Sequence, residues 1–402
     1  MIISERLRRS LAPAIMFYCI VAILWAVTPA RAQAPERQVR VSAWYWLNSA
    51  PKADWEGDFT TMKHLGFTDV LLCWGLDLAA ITTRKAETTQ AMQWAHKAGL
   101  GVYLIVWQPY ANSLTRVPEF MQVDANARQL NTFDTFNPQW RATQWKNYLQ
   151  DVAKTYAQEP AMAGYVFDDS FGGANISYGA YEEKAFGRPL PRKPEDPGWE
   201  EWTKKRQVWW EDWAKETVHY IRAIDPNPRH ELYLEDTVAS ITDSVRHAKT
   251  GLDFARVARH FDAVGGYTSP SWTTNLDSDA KVLQLTTNAI EKVRNIVGPN
   301  KKIVYTFWSA NISEERKPGP ARYPSAAQLR QVCEAALKLG IRHLDLYGFR
   351  IGDSHATRQE MARMVPAEPA PFILTGQFPQ KFMWDRPEIH TDLDNYLRSL
   401  NH

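Results

Sequence analysis

After residue 37 one pattern recurs along the chain: a short apolar run, a turn, an amphipathic stretch, then another apolar run. Eight runs rich in β-branched and aromatic residues stand out, at Val41–Leu47, Asp69–Gly75, Gly101–Gln108, Met162–Asp169, Glu231–Asp236, Phe261–Tyr267, Lys302–Trp308 and His343–Phe349. Each is short and bounded by turn residues, which predicts strands. The intervening stretches carry helical stripes. Trp145, Tyr148, Leu149, Val152 and Tyr156 fall at i, i+3, i+4, i+7 and i+11, and Trp210, Trp213, Ala214, Thr217 and Ile221 repeat that spacing. A similar stripe runs through Leu329, Val332, Cys333, Ala336 and Leu337. One apolar face per helix is what packing on a sheet requires. Gly66, Gly99 and Gly340, just ahead of strands, suit the left-handed cap position.

Eight strand–helix units predict an α/β chain folded as a (β/α)8 TIM barrel with long strand-end loops, over residues 37–365. The rival, a doubly wound sheet, would place a Gly-rich phosphate turn after its first strand, where this chain has Trp44, Tyr45 and Trp46. Residues 170–205 read as a long insertion after the fourth strand. Residues 366–402 read as a Pro-rich tail that ends in a short helix near Thr391–Leu400, packed on the barrel.

The first 32 residues have a different pattern. Arg6, Arg8 and Arg9 precede an apolar stretch from Leu11 to Ala30, and Ala30-Arg31-Ala32 places small residues where a signal peptidase reads. The expectation is a cleaved export signal and a periplasmic or secreted chain; an uncleaved anchor is the alternative. The formal net charge of the 402 residues is only +2, and the leader carries more basic than acidic groups, so no polybasic face remains for nucleic acid or, after cleavage, for a membrane. Cys73 and Cys333, the two cysteines beyond the leader, lie in apolar segments and read as small buried hydrophobes. Oligomeric state has no signature in the sequence.

Aromatic content changes the picture most. There are 17 Trp, 16 Tyr and 16 Phe. In a barrel of this type chemistry sits at the C-terminal strand ends, and here those ends carry aromatics and acids together. They include Trp44 and Trp46, Trp74, Trp107, Asp168 and Asp169, Glu235 and Asp236, Tyr267, Trp308, and Asp345 with Tyr347 and Arg350. Sugar rings present apolar faces that stack on aromatics, and acetal cleavage needs two carboxyl groups. The residue types fit that chemistry. Strand alternation places Tyr233 and Glu235 toward the axis, with Leu232 and Leu234 facing the helices. In the fourth strand it is read as Val166 outward and Phe167 with Asp169 inward. Asp169 is then the general acid, Glu235 the nucleophile or base, Asp236 its backup, and Asp168 a like-charge neighbour that raises a pKa. Trp44, Trp46, Trp74, Trp107, Tyr267, Trp308, Tyr347 and Arg350 form the sugar-binding set. Asp345 reads as structural, paired with Arg350 or Arg342, and the Trp-rich stretch at 199–213 as helix face and core. No metal, phosphate-loop, zinc-protease or nucleophile-elbow motif is present, and no cofactor is called for.

The run Asn137-Pro138-Gln139-Trp140-Arg141, a helix, then Pro160-Ala161-Met162-Ala163-Gly164-Tyr165 and the acids resembles the third-to-fourth strand passage of β-galactosidase-type barrels. The resemblance implies a TIM-barrel glycoside hydrolase with Asp169 as acid/base and Asp168 in place of the usual Asn. That group carries a Glu nucleophile closing the seventh strand, and this chain reads Val304-Tyr305-Thr306-Phe307-Trp308 there. Phe167-Asp168-Asp169 also resembles the acidic pair of hydrolase domains that trim exopolysaccharides such as poly-N-acetylglucosamine, where the second acid comes from a later strand. In such a pocket Trp308 and Tyr267 would serve as floor and clamp. The expectation is an exported O-glycosyl hydrolase acting on an oligo- or polysaccharide. Two rivals are a non-catalytic carbohydrate-binding barrel in polysaccharide processing or export, and a metal-assisted hydrolase using Asp168, Asp169, Asp236 and a His.

Overall fold

The structure, a computed structural model, describes residues 39–75, 80–107, 117–168, 177–268, 279–308 and 326–350. The proposed leader, the tail from 366 and Asp169 lie outside the described residues. Eight parallel strands close a barrel in the order β1 (Arg40–Trp46), β10 (His343–Arg350), β9 (Lys302–Trp308), β8 (Ala263–Thr268), β7 (Glu231–Thr237), β6 (Met162–Asp168), β3 (Gly101–Trp107) and β2 (Asp69–Cys73). All eight expected strands are present, with ends shifted by at most two residues. A short antiparallel hairpin, β4 (Met121–Val123) and β5 (Gln129–Phe133), was not expected from the sequence. Its three-residue first strand is too short to show a period. Asp124 shapes its turn by accepting from the amides of Asn126 and Arg128.

Alternation sorts each strand into two faces. One face joins the helices in a continuous apolar layer that includes Val41, Ala43, Tyr45, Val70, Leu72, Val102, Leu104, Tyr165, Phe167, Leu232, Leu234, Tyr305, Phe307, Leu344 and Leu346. The helix Trp199–Arg222 buries Trp202, Trp209, Trp210 and Trp213 against it, as its stripe requires. Gly66, Gly99 and Gly340 have φ of 91°, 78° and 80°, the left-handed geometry expected of cap glycines. Cys73 and Cys333 are buried and unbridged. Among the described residues, no helix is long and apolar enough to cross a membrane.

The other face fills the barrel axis and is unusually polar. At the N-terminal end Arg40 donates to both oxygens of Asp69, at 2.6 and 3.1 Å, and Lys302 pairs with Glu231. Burial raises the Asp69 pKa, but the Arg40 charge and its hydrogen bonds outweigh that and hold it below the usual carboxylate value. Above this girdle the rings of Tyr103 and Tyr233 converge on His343, with centroids 5.7 and 6.5 Å away. Two glycines make room for them. A Cβ at Gly164 would stand 2.8 Å from Tyr103 Cε1, and one at Gly265 would overlap the Tyr233 ring and hydroxyl. These tyrosines seal the lower axis, which leaves the C-terminal end as the place for a site.

Candidate active site

The fourth barrel strand overturns one orientation read from the sequence. Phe167 lies in the helix-side layer, its ring 5.4 Å from that of Phe261, which in turn packs on Trp213. Val166 is buried but belongs to the opposite face, between Ile105 and Tyr233 in the ladder. The reason is volume. Phe fills the wide gap between sheet and helix, and the smaller Val suits the axis already crowded by Tyr103 and Tyr233. Asp168, two residues beyond Val166, therefore takes the interior face, and the inward assignment of Phe167 is wrong.

This reversal brings two acids together. Phe167 pairs with Leu234 across β6 and β7, so Asp168 and Glu235 each stand one residue further along, side by side on the interior face. Strands in a sheet lie about 4.8 Å apart, which sets the spacing of the two backbones. Both residues are buried, Glu235 completely. Trp107 flanks Asp168 on the other side of the ladder. Asp236 lies on the face opposite Glu235: it pairs with Gly266, whose missing Cβ would point at Val238 and Val293 in the helix layer. Its carboxylate accepts from the Thr237 amide at 2.7 Å.

Glu235 belongs to a larger buried polar cluster. Thr306 on β9 donates to Glu235 Oε1 and lies 3.3 Å from Asp345 Oδ2 on β10. Asp345 also accepts from Ser42 Oγ at 2.7 Å and from Trp44 Nε1 at 2.8 Å. Burial raises the Asp345 pKa to about 6 against these three bonds, which favour the charged form. Of the two arginines expected to pair with Asp345, Arg342 does not reach it, and the Arg350 side chain lies outside the described residues. Arg342 instead donates to the carbonyls of Leu337 and Ile341 ahead of the strand. Ser42, Thr306 and His343 were not singled out from the sequence, whereas Tyr233 was placed on the axis as expected. The signal for the first three was available as polar residues alternating with apolar ones along these strands.

The aromatic set divides. Trp44 lies on the axis, buried, its ring edge-on to Tyr347 at 4.9 Å. Trp46 occupies the next interior position of β1, also buried, with an indole N–H that has no hydrogen-bond partner among the described residues. Trp74 is placed differently from expectation. It sits in the helix layer, its N–H donating to Thr88 at 2.9 Å, its ring edge-on to Trp55 and under the Arg84 guanidinium. Trp107, Trp308 and Arg350 end their strands at the same rim and Tyr267 stands one residue before the end of its own, but their side chains lie outside the described set.

The motif at 137–141 is structural in this fold. Asn137 caps its helix by accepting from the amides of Gln139 and Trp140, and Arg141 binds Glu216 and the carbonyls of Thr135 and Phe136. A cavity of about 570 Å³ at the opposite end of the barrel is bounded by Met162, Asp225, Asn227 and His230. Its Tyr165–Asp225–His230 chain is internally satisfied, with bonds of 2.8 and 2.7 Å. It lies at the strand starts, away from the end where barrel enzymes place their chemistry. Among the described residues, no three His, Cys, Asp or Glu side chains converge as a metal ion would require.

No family model matches the sequence, and no curated protein matches it. Solved structures do. A β-galactosidase from the psychrophilic Marinomonas ef1 superposes with a TM-score of 0.64 at 13% identity, over 90% of this chain and 59% of that one. The PgaB glycoside hydrolase domain from Bordetella bronchiseptica gives 0.53 at 13% identity, over 82% of this chain and 99% of the domain. An endo-β-1,4-mannanase from Thermotoga petrophila gives 0.52 at 11% identity, over 91% and 78%. The chain spans about three-fifths of the length of the β-galactosidases it matches. The closed barrel of parallel strands is thus the (β/α)8 TIM-barrel fold that these glycoside hydrolases share.

Proposed function

We propose that the chain is an exported glycoside hydrolase that cleaves a glycosidic bond in an oligo- or polysaccharide. The observation that carries this reading is the placement of Asp168 and Glu235 side by side on neighbouring strands, on the interior face at the C-terminal end of the barrel. Neighbouring strands stand about 4.8 Å apart, a placement that suits the retaining arrangement, in which two carboxyl groups about 5–5.5 Å apart act one as nucleophile and the other as acid and then base. Glu235 is the proposed nucleophile or base, and the proton donor comes from the end of β6. Of the two acids there, Asp168 has the strand position that faces Glu235. Asp169 is the donor that the family resemblance implies. Trp44 and Trp46 on β1, with the strand-end aromatics Trp107, Tyr267 and Trp308, supply stacking surface for sugar rings.

Parallel Asp168→Asn, Asp169→Asn and Glu235→Gln variants test the assignment on a panel of glycans. Loss of a proton donor costs about 10²–10⁴ in rate. The expected result is that loss in Glu235→Gln and Asp168→Asn, with Asp169→Asn nearer to wild type. Full turnover in both of the first two overturns the pair.

One observation favours a second reading. β9, where β-galactosidase-type barrels carry a catalytic Glu, offers Thr306 and Trp308. A barrel that binds glycan without cleaving it would show saturable affinity and no product on the same panel. The export proposal rests on the leader alone. Amino-terminal sequencing of the mature chain should begin at Gln33, and retention of the leader would contradict cleavage.

A further inference from the structure

Asp345 and Thr306 have no place in a two-carboxylate scheme, yet they are built into it from below. Among the described residues, the groups facing Asp345 come from three neighbouring strands and its own. From β1 come Ser42 and Trp44, which donate to its two oxygens. From β9 comes Thr306, 3.3 Å from Oδ2. From β7 come Glu235, bonded to the same Thr306 hydroxyl, and Tyr233, whose hydroxyl lies 3.3 Å from Thr306 Oγ1. On β10 itself, His343 reaches Ser42 Oγ at 3.0 Å. The formal charges Arg40, Lys302, Asp69 and Glu231 lie in the layer below.

Hydrogen counting gives one consistent wiring of these groups. Burial, then the Arg40 and Lys302 charges, keep the His343 pKa well below its ordinary value, so the ring is neutral. Ser42 spends its one proton on Asp345, so its contact with His343 is donated by Nε2–H. The Thr306 hydroxyl likewise has one proton, and it goes to Glu235 Oε1. Its two lone pairs are then left to accept, one from Tyr233 and one from a protonated Asp345. The complementary arrangement reverses both hydrogens: a protonated Glu235 donates to Thr306, and Thr306 donates to an ionised Asp345. Between the two arrangements, one proton leaves Asp345, one hydroxyl hydrogen changes sides, and one proton arrives on Glu235. The net charge of the trio stays at −1.

We propose that Glu235 and Asp345 share a single proton through Thr306 Oγ1, which makes Asp345 a positioning residue that sets the protonation of Glu235 from beneath the cleft. The relay gives Glu235 a place from which to take, and to which to return, a proton without opening the barrel to water. Its catalytic meaning rests on the glycoside hydrolase reading above; its existence does not. It also accounts for the missing acid on β9. Thr306 occupies that strand as a bridge, and the partner carboxyl stands one strand further on, at Asp345.

The test is ¹³C-carboxyl NMR of the full chain labelled at Asp and Glu, titrated through the weakly acidic range. Signals are assigned with Asp345→Asn and Glu235→Gln. The expected result in wild type is a Glu235 signal with an inflection at the pH where Asp345 ionises, since groups coupled by more than about one pH unit titrate as a pair. Thr306→Val should abolish the common inflection, and Thr306→Ser, which keeps the hydroxyl, should restore it. Independent titration of the two signals in wild type overturns the proposal, and so does a common inflection that survives Thr306→Val. If Thr306→Val fails to fold, the wild-type curve and the loss of the Glu235 inflection in Asp345→Asn decide the matter. None of these readouts needs turnover. A chain that shares the proton but cleaves no glycan would defeat the enzymatic reading and leave this one standing.

Discussion

Replacing Gly265 by Ala tests whether the tyrosine layer really closes the barrel axis. The added Cβ would stand 2.5 Å from Tyr233 Cζ and closer still to the hydroxyl, whereas ordinary Cβ contacts fall at 3.4–4 Å. The ring must therefore retreat by about 1 Å into a space that His343 and Thr306 already occupy. Overpacking of this kind costs about 1–3 kcal/mol. Displacing the hydroxyl from Thr306 leaves a buried polar group unpaired for a further 1–3 kcal/mol or so. The sum, roughly 2–6 kcal/mol, is a large share of the 5–15 kcal/mol that typically holds a domain together. Gly266→Ala is the internal control, because its Cβ would point outward at the methyl groups of Val238 and Val293, at 2.8 and 3.2 Å, and side-chain ends can yield. Urea unfolding of both variants, alone and with Tyr233→Ala, measures the effect. Gly265→Ala should cost at least about 2 kcal/mol more than Gly266→Ala, and most of that excess should vanish once the ring is gone. Equal costs at the two glycines, or an excess that persists without Tyr233, would refute the packing argument.

Other consequences follow from the same layers. The folded-state pKa of Asp345 is raised from 3.8 to about 6, so this group stabilises the fold most below pH 4, and that contribution is lost as pH rises through 6. Two pH units correspond to about 3 kcal/mol, and Asp345→Asn should remove a slope of that order from stability measured by urea unfolding between pH 4 and 7; an unchanged slope would contradict the burial argument. Arg40→Met leaves the Asp69 carboxylate buried without its partner and should cost about 3–5 kcal/mol in the same assay, whereas a loss below 1 kcal/mol or so would mean that the girdle is not a sealed ion pair. Trp74→Ala should lower the melting temperature while leaving glycan affinity intact, and Trp46→Ala should weaken glycan binding. Calorimetric titration of both variants with an oligosaccharide checks this, and the reverse pattern would show that the tryptophans have been assigned to the wrong layers.

The strands and their order along the chain were legible because each is short, apolar and followed by a turn, and because the cap glycines mark where helices stop. Inward and outward faces were legible only where the two alternating sets differ in chemistry. On β7, Leu232 and Leu234 contrast with Tyr233 and Glu235, and the expected faces match the structure. On β6, Val166 and Phe167 are both apolar, so alternation alone could not choose, and the space beside Phe261 decided. That one-residue ambiguity hid the interior position of Asp168; Asp169 lies outside the described residues. Trp74 misled for a similar reason. It follows a strand end, but its indole N–H finds Thr88 on a helix, a contact 14 residues away that no periodicity announces. The relay was hidden because its members come from β1, β7, β9 and β10, and only barrel closure brings Ser42 within reach of Asp345, 303 residues later.

The central claim is that Asp168 and Glu235 act on one glycosidic bond. The most direct measurement is product release by the Glu235→Gln variant from an activated aryl glycoside that wild type cleaves, with azide added. If Glu235 is the nucleophile, turnover should be lost, and azide should restore it as a glycosyl azide of inverted configuration. Wild-type rates in the variant without azide would contradict the claim.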